Sequence, residues 1–349
     1  MDSGPEEERS EEQDYTPILS DDALLLIFSE LNWKDILNVK LVSRRFYGII
    51  HGNYHRLKRR DVSTISIKYG RNRIRYPFYL NLAFHDTVDE DFPELLNIPY
   101  TKTINIQSVE ELPALLKVFD MRKLDKLYVL VDVNPDIFRI LGDFLQVGTK
   151  IKILKILKLA EKDFDSFKTF TGKFSSVKSL NIEHICASLT ETKEVCPLLS
   201  SLTSFNTIET SCIYECSSTK ILSAGMVTEL LRRNPHLDYL NIGTGNIEFV
   251  RSLFKGYFTV EQPRKMENEC RYNVIYLNIY FNGEYELLLD ILKSSLSEIG
   301  NVVKVCSDPE GVTFESEVDC KYCFKNKHGI LRRFFVSNNE PPTIIRDWD

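Results

Sequence analysis

Long apolar runs are missing from this chain of 349 residues: the longest unbroken one, residues 23–28, is Ala-Leu-Leu-Leu-Ile-Phe. A bilayer-spanning helix needs about 20 such residues, so none is expected. Positive charge is also in short supply, with 44 Lys and Arg against 50 Asp and Glu. The excess acid is local. Asp2, Glu6, Glu7, Glu8, Glu11, Glu12 and Asp14 stand against Arg9 alone and account for the whole formal charge of -6. A neutral body excludes sequence-independent nucleic-acid binding, which requires a concentrated basic surface. The acidic start does not read as a signal or transit peptide, and it buries too little apolar area to order itself, so a disordered tail and a cytoplasmic or nuclear location are expected.

The motifs of small-molecule catalysis are absent as well. There is no Gly-Lys-Ser/Thr phosphate loop, no His-Glu-x-x-His and no Gly-x-Ser-x-Gly. Gly243-Thr244-Gly245-Asn246 begins like a dinucleotide fingerprint, but Glu248 occupies the third glycine position, where its charge repels a pyrophosphate. His51 and His55 lack a neighbouring carboxylate to complete a metal set. Eight cysteines at irregular spacings are expected as reduced thiols, mostly buried. Cys320-Lys321-Tyr322-Cys323, with His328 and Cys306 nearby, has no second Cys-x-x-Cys pair, and no metal or cofactor is expected.

What the chain does have is a dense N-terminal pattern. Ser20 precedes Asp21 and Asp22, a helix cap followed by acids that complement the helix dipole. Leu24, Ile27, Phe28 and Leu31 then fall at i, i+3, i+4 and i+7, with Leu25 and Leu26 off that stripe, so this short helix needs partners on two sides. After a turn through Asp35, helical spacing links Val39, Val42, Phe46, Ile49 and Ile50. Three short helices in some 45 residues make a small core that calls for a neighbour.

The residues Leu19-Ser20-Asp21-Asp22, Ile27-Phe28-Ser29-Glu30-Leu31, Lys34-Asp35-Ile36-Leu37 and Val42-Ser43-Arg44-Arg45-Phe46 resemble the F-box in identity as well as spacing, except that Ser20 stands where the family has proline. The resemblance implies docking on a Skp-type adaptor and, through it, on a cullin–RING ubiquitin ligase. It implies a non-catalytic subunit, because in such ligases a separate enzyme carries ubiquitin. The adaptor contacts it implies are Leu19, Leu24, Ile27, Phe28, Leu31, Ile36, Leu37 and Val42. A binding scaffold outside any ligase is the alternative.

Beyond Arg60 an apolar signature recurs: Ile104-Asn105-Ile106, Leu127-Tyr128-Val129, Leu154-Lys155-Ile156, Leu180-Asn181-Ile182, Leu240-Asn241-Ile242 and Leu277-Asn278-Ile279. Most copies have an apolar residue three places earlier, which makes a strand with one buried face. Counting Leu202 as a further centre, the first four intervals run from 22 to 27 residues and the last two are 38 and 37. The former suit leucine-rich repeats of about 20–29 residues, and this region resembles those that follow many F-boxes. Helical patterns lie between the strands, at residues 111–119, after Pro135, after Ser223 and at 284–296. Residues 62–82 alternate as a hairpin, with Arg71, Arg73 and Arg75 on one face.

The fold expected is α/β: a disordered tail (1–16), a small three-helix F-box (17–60) and an irregular leucine-rich-repeat-like α/β solenoid (61–349). Asn105, Asn181, Asn241 and Asn278 sit between inward apolar residues and so point to the opposite, concave face, with Tyr128 and Lys155 in the same column. Tyr239, Asn241, Tyr276, Asn278 and Tyr280 are the candidate contacts to a protein substrate, unless the amides serve only as a ladder between strands.

Overall fold

Three side-chain caps divide the N-terminal segment into three helices. The computed structural model describes residues 19–69, 77–84, 101–132, 136–187, 205, 207–217, 219–234, 236–259, 274–299, 303–319 and 329–339. The chain forms two compact units, Met1–Arg60 with Lys117–Asp120, and Asp61–Leu116 with Met121–Asp349. The acidic tail, Arg71, Arg73, Arg75, Leu202 and the Cys320/Cys323/His328 group lie outside the described residues.

In the first unit, α1 (Asp21–Glu30) is capped by Ser20 Oγ, which accepts from the Ala23 N–H at 3.2 Å. Asn32 Oδ1 accepts from the N–H groups of Lys34 and Asp35 and opens α2 (Trp33–Val39). Ser43 Oγ accepts from Phe46 N–H and opens α3 (Arg44–Gly52). The Val39-to-Ile50 stripe is therefore not one helix. Ser43 competes for the backbone as a cap, the chain turns at Lys40–Ser43, and Val42 falls in the turn. The core is Leu24, Leu25, Phe28, Ile36, Ile49, Ile50, Tyr54 and Leu57, with Phe46 edge-on to Phe28 at 5.2 Å. Burial stabilises by roughly 1.5–3 kcal/mol for each large apolar side chain.

The second unit is a mixed α/β body on one large sheet. Its strands are β1 (Arg60–Tyr69), β2 (Phe78–Phe84), β3 (Thr101–Ile106), β5 (Lys126–Leu130), β6 (Thr149–Ile156), β7 (Leu159–Ala160), β8 (Phe174–Cys186), β9 (Thr210–Glu215), β10 (Tyr239–Thr244), β11 (Val274–Phe281), β12 (Lys304–Asp308), β13 (Gly311–Asp319) and β14 (Gly329–Ser337); β4 (Phe119–Asp120) belongs to the segment grouped with the first unit. The order across the sheet is β12-β13-β14-β11-β10-β9-β8-β6-β5-β1-β2-β3. From β1 through β5, β6, β8, β9, β10 and β11 to β14 every pairing is parallel, and β2–β3 and β13–β12 finish the two ends antiparallel.

The helices are α4 (Leu112–Leu116), α5 (Ile137–Phe144), α6 (Phe164–Thr171), α7 (Ala224–Arg233), α8 (Ile247–Thr259) and α9 (Tyr285–Ser295). Consecutive strands β5 to β11 advance across the sheet in one direction, and parallel crossovers are almost always right-handed, so their helices fall on one face. The packing of α5 on α6, and of α8 on both α7 and α9, agrees. On that face two register rows are apolar. One is Leu127, Leu154, Leu180, Ser211, Leu240, Leu277 and Phe334; the other is Val129, Ile156, Ile182, Ile213, Ile242, Ile279 and Val336. All but Ser211 are buried apolar side chains. Phenylalanines fill the space under the helices: Phe254 meets Phe258, Phe314 and Phe334 edge-on within 5.2 Å.

Between β8 and β10 the sheet is continued by β9, where Ser211 holds the leucine position in register with Leu180 and Leu240, a strand that the leucine signature did not reveal. Ile104 lies on an edge strand antiparallel to β2 and not on a parallel repeat strand. The hairpin is present as β1–β2. The cysteines are not all free thiols: Cys186, at the end of β8, and Cys216, just past β9, form a disulfide with Cα atoms 5.4 Å apart. Neighbouring strand ends bring them together despite 30 residues of separation. Cys212 is a buried free thiol and Cys306 a half-buried one.

Candidate functional site

The helical spacing of α1 puts Leu24, Leu25 and Phe28 inward and turns Leu26 and Ile27 the other way. The stripe of expected adaptor contacts is thereby split. Leu24, Phe28 and Ile36 are core residues, Leu31 packs partly against that core, and Leu19, Ile27, Leu37 and Val42 are exposed. Sequence reasoning missed Leu26, Leu41 and Tyr47, which are exposed too, Leu41 at 83%. Seven of the eleven exposed large apolar side chains among the described residues (Leu19, Leu26, Ile27, Leu37, Leu41, Val42, Tyr47) lie on this small unit. Concentrated exposed apolar surface marks a protein-binding site.

Polar contacts hold this surface in shape. Arg45 reaches back to Asp21 at 2.7 Å and donates to the Leu19 carbonyl at 2.6 Å, tying α3 to the start of α1. Lys40 Nζ donates to Tyr54 Oη at 2.9 Å and lies over the Tyr47 ring at 4.6 Å, which fixes the turn that carries Leu41 and Val42. His51 stacks on Tyr47, and His55 follows beyond the helix end, so the two histidines do not share a helix face.

On the second unit, strand register aligns one row along the face opposite the apolar rows: Tyr128, Lys155, Asn181, Cys212, Asn241, Asn278 and Phe335. Tyr239, Asn241, Tyr276, Asn278 and Tyr280 all lie on this face, four of them half-buried and Tyr239 exposed. The amides are joined: Asn278 Nδ2 donates to Asn241 Oδ1 at 2.7 Å, and Asn241 Nδ2 to Cys212 Sγ at 3.2 Å. Among the described residues the Asn181 side-chain oxygen is buried without a partner. Lys155 pairs with Glu183 at 2.7 Å. Burial pushes the Cys212 thiol above its ordinary range, against hydrogen bonding from Asn241. Tyr214 is raised further, mainly by burial, and packs edge-on to Tyr280 at 6.3 Å across Gly243.

Residues 17–58 match the F-box domain. No curated protein matches the chain in sequence. F-box domains generally bind Skp-type adaptors in cullin–RING ligases, and proteins that carry one are generally non-catalytic receptors. The match makes this N-terminal unit a candidate adaptor-binding module of an SCF-type ubiquitin ligase. Among the described residues no helix is long and apolar enough to cross a membrane, and no cluster of His, Cys, Asp or Glu is arranged to hold a metal.

Proposed function

We propose that this chain is the substrate-receptor subunit of an SCF-type ubiquitin ligase, acting in the cytoplasm or nucleus. The observation that carries the reading is the set of seven exposed apolar side chains on the F-box unit, which a Skp-type adaptor would cover. The second unit is then the receptor. Its parallel array from β5 to β11 serves as an irregular leucine-rich-repeat-like solenoid, and the Asn and Tyr side chains of the face away from the helices contact a protein target. The chain contributes proximity and no bond chemistry of its own. Holding a target lysine beside the charged conjugating enzyme raises its effective concentration.

Proximity labelling of the intact chain against one lacking residues 17–56 tests this. Adaptor and cullin should vanish from the deletion while targets accumulate. Retention of adaptor by the deletion, or its absence from the intact chain, contradicts the reading.

A further inference from the structure

One row of the exposed sheet face holds an unfinished stack. In register it runs Lys126, Ile153, Ser179, Thr210, Tyr239, Tyr276, Arg333 and Glu315. The Tyr239 and Tyr276 rings lie 4.7 Å apart at an interplanar angle of 2°. Arg333 covers the far side of Tyr276, its guanidinium carbon 5.0 Å from the ring centre, and is fixed by Glu315 at 2.6 Å. The order is carboxylate, guanidinium, ring, ring, and then nothing tall. Tyr239 is the one aromatic side chain left exposed among the described residues of this unit, at 46%.

Beyond its open face stand two short residues. Thr210 Oγ1 donates to Ser179 Oγ at 2.9 Å and the pair forms a hydroxyl floor. The next large side chain in the row, Ile153, is three strands away, roughly 14 Å at the usual strand spacing. The rim before these strands carries Lys178, Glu209 and Asp238. Lys178 and Glu209 pair at 2.8 Å, and the exposed Asp238 has no ion pair among the described residues. Among the described residues the rim next to Tyr239 is thus left with one unpaired acid, while Lys152, before Ile153, is paired with Asp125 at 2.9 Å.

An electron-rich ring face with hydroxyl acceptors beneath it, and an exposed acid next in the chain that has no ion pair among the described residues, suit a planar cation. The other end of the stack already holds one. A guanidinium fits better than an ammonium because it stacks flat and spreads its N–H groups toward several acceptors. Deepening the receptor reading of this face, and resting on it, we propose that the slot between Tyr239 and Ile153 receives an arginine side chain of the protein target.

The test uses the full chain and three short peptides, acetyl-Gly-Arg-Gly-amide and its citrulline and lysine analogues, followed by NMR of the aromatic rings. The arginine peptide should shift the Tyr239 ring saturably. Citrulline, which keeps the shape and loses the charge, should bind about tenfold more weakly or not at all, and lysine should fall between. Tyr239→Phe should keep binding and Tyr239→Leu should lose it. Thr210→Tyr, which fills the slot and leaves the native stack in place, should abolish it even if Tyr239→Leu proves unstable. Equal binding of citrulline, tighter binding of a phenylalanine peptide or a free sugar, or indifference to Thr210→Tyr overturns the proposal. Adaptor binding, measured on the same variants, should not change; its loss from the unmodified chain would refute the receptor reading and leave the slot's peptide preference a separate result.

Discussion

Asn278 donates its side-chain amide to the side-chain carbonyl of Asn241 at 2.7 Å, and Asn241 hands its own amide on to Cys212. The two asparagines therefore work between strands as a ladder, whatever else the face contacts. Asn241→Ala removes one donor and one acceptor and should cost about 1–2 kcal/mol, read as a lower urea midpoint with an unchanged slope. Tyr239→Ala with Tyr280→Ala should lower that midpoint only by the loss of their ring contacts, about 0.5–1.5 kcal/mol each, and reduce target capture. A fall in stability without a fall in capture moves the target site off this face.

Buried and exposed positions of the F-box should separate cleanly. Phe28→Ala empties a core site and should cost about 3–5 kcal/mol of stability, so its effect on docking is a folding effect. Leu26→Ala, at an exposed position, should leave thermal unfolding nearly unchanged and weaken adaptor binding by about 2 kcal/mol. Thermal melts beside adaptor titrations of the two variants check this.

Glu215 should give the fold a specific pH dependence. Burial raises its carboxyl above the ordinary value of 4.5, against hydrogen bonds from Thr244, Leu222 and Ile221. The folded state therefore holds the proton more tightly than the unfolded chain. Its contribution is complete below 4.5 and is lost as pH climbs from there through the raised folded value. Glu215→Gln keeps the neutral form, so its stability relative to wild type should grow across that window, as measured by denaturation at a series of pH values. A constant difference contradicts the assignment.

Gly243 is required for packing. An added Cβ would fall 2.4 Å from Tyr214 Cδ1 and 3.1 Å from its Cβ. Gly243→Ala should push Tyr214 off its contact with Tyr280, cost about 1–3 kcal/mol and change the near-ultraviolet circular dichroism of the tyrosines.

Much of this was legible in the chain. Ser20 announces its helix because a cap acts locally, and the Leu-x-Ile strands announce themselves because alternation is a property of consecutive residues. What failed depended on distant partners. Ser211 could be assigned to a leucine row only once Leu180 and Leu240 were seen on either side of it. Cys186 and Cys216 meet only because their strands are neighbours. On α1 the apolar residues surround the helix, so spacing could not say whether Leu26 or Phe28 faces outward; the packing of α2 and α3 decides that. The unfinished Tyr239 stack left no motif, since it needs one residue from each of several strands.

The most direct test is the affinity of a purified Skp-type adaptor for the full chain and for the Leu26→Glu, Leu41→Glu double variant. Both substitutions lie on exposed side chains, so the fold should be retained, as a matched thermal melt would show. The prediction is saturable binding by the native chain and a loss of about a hundredfold or more in the variant. Equal adaptor affinity for the two folded proteins, or no binding to either, would contradict the receptor assignment.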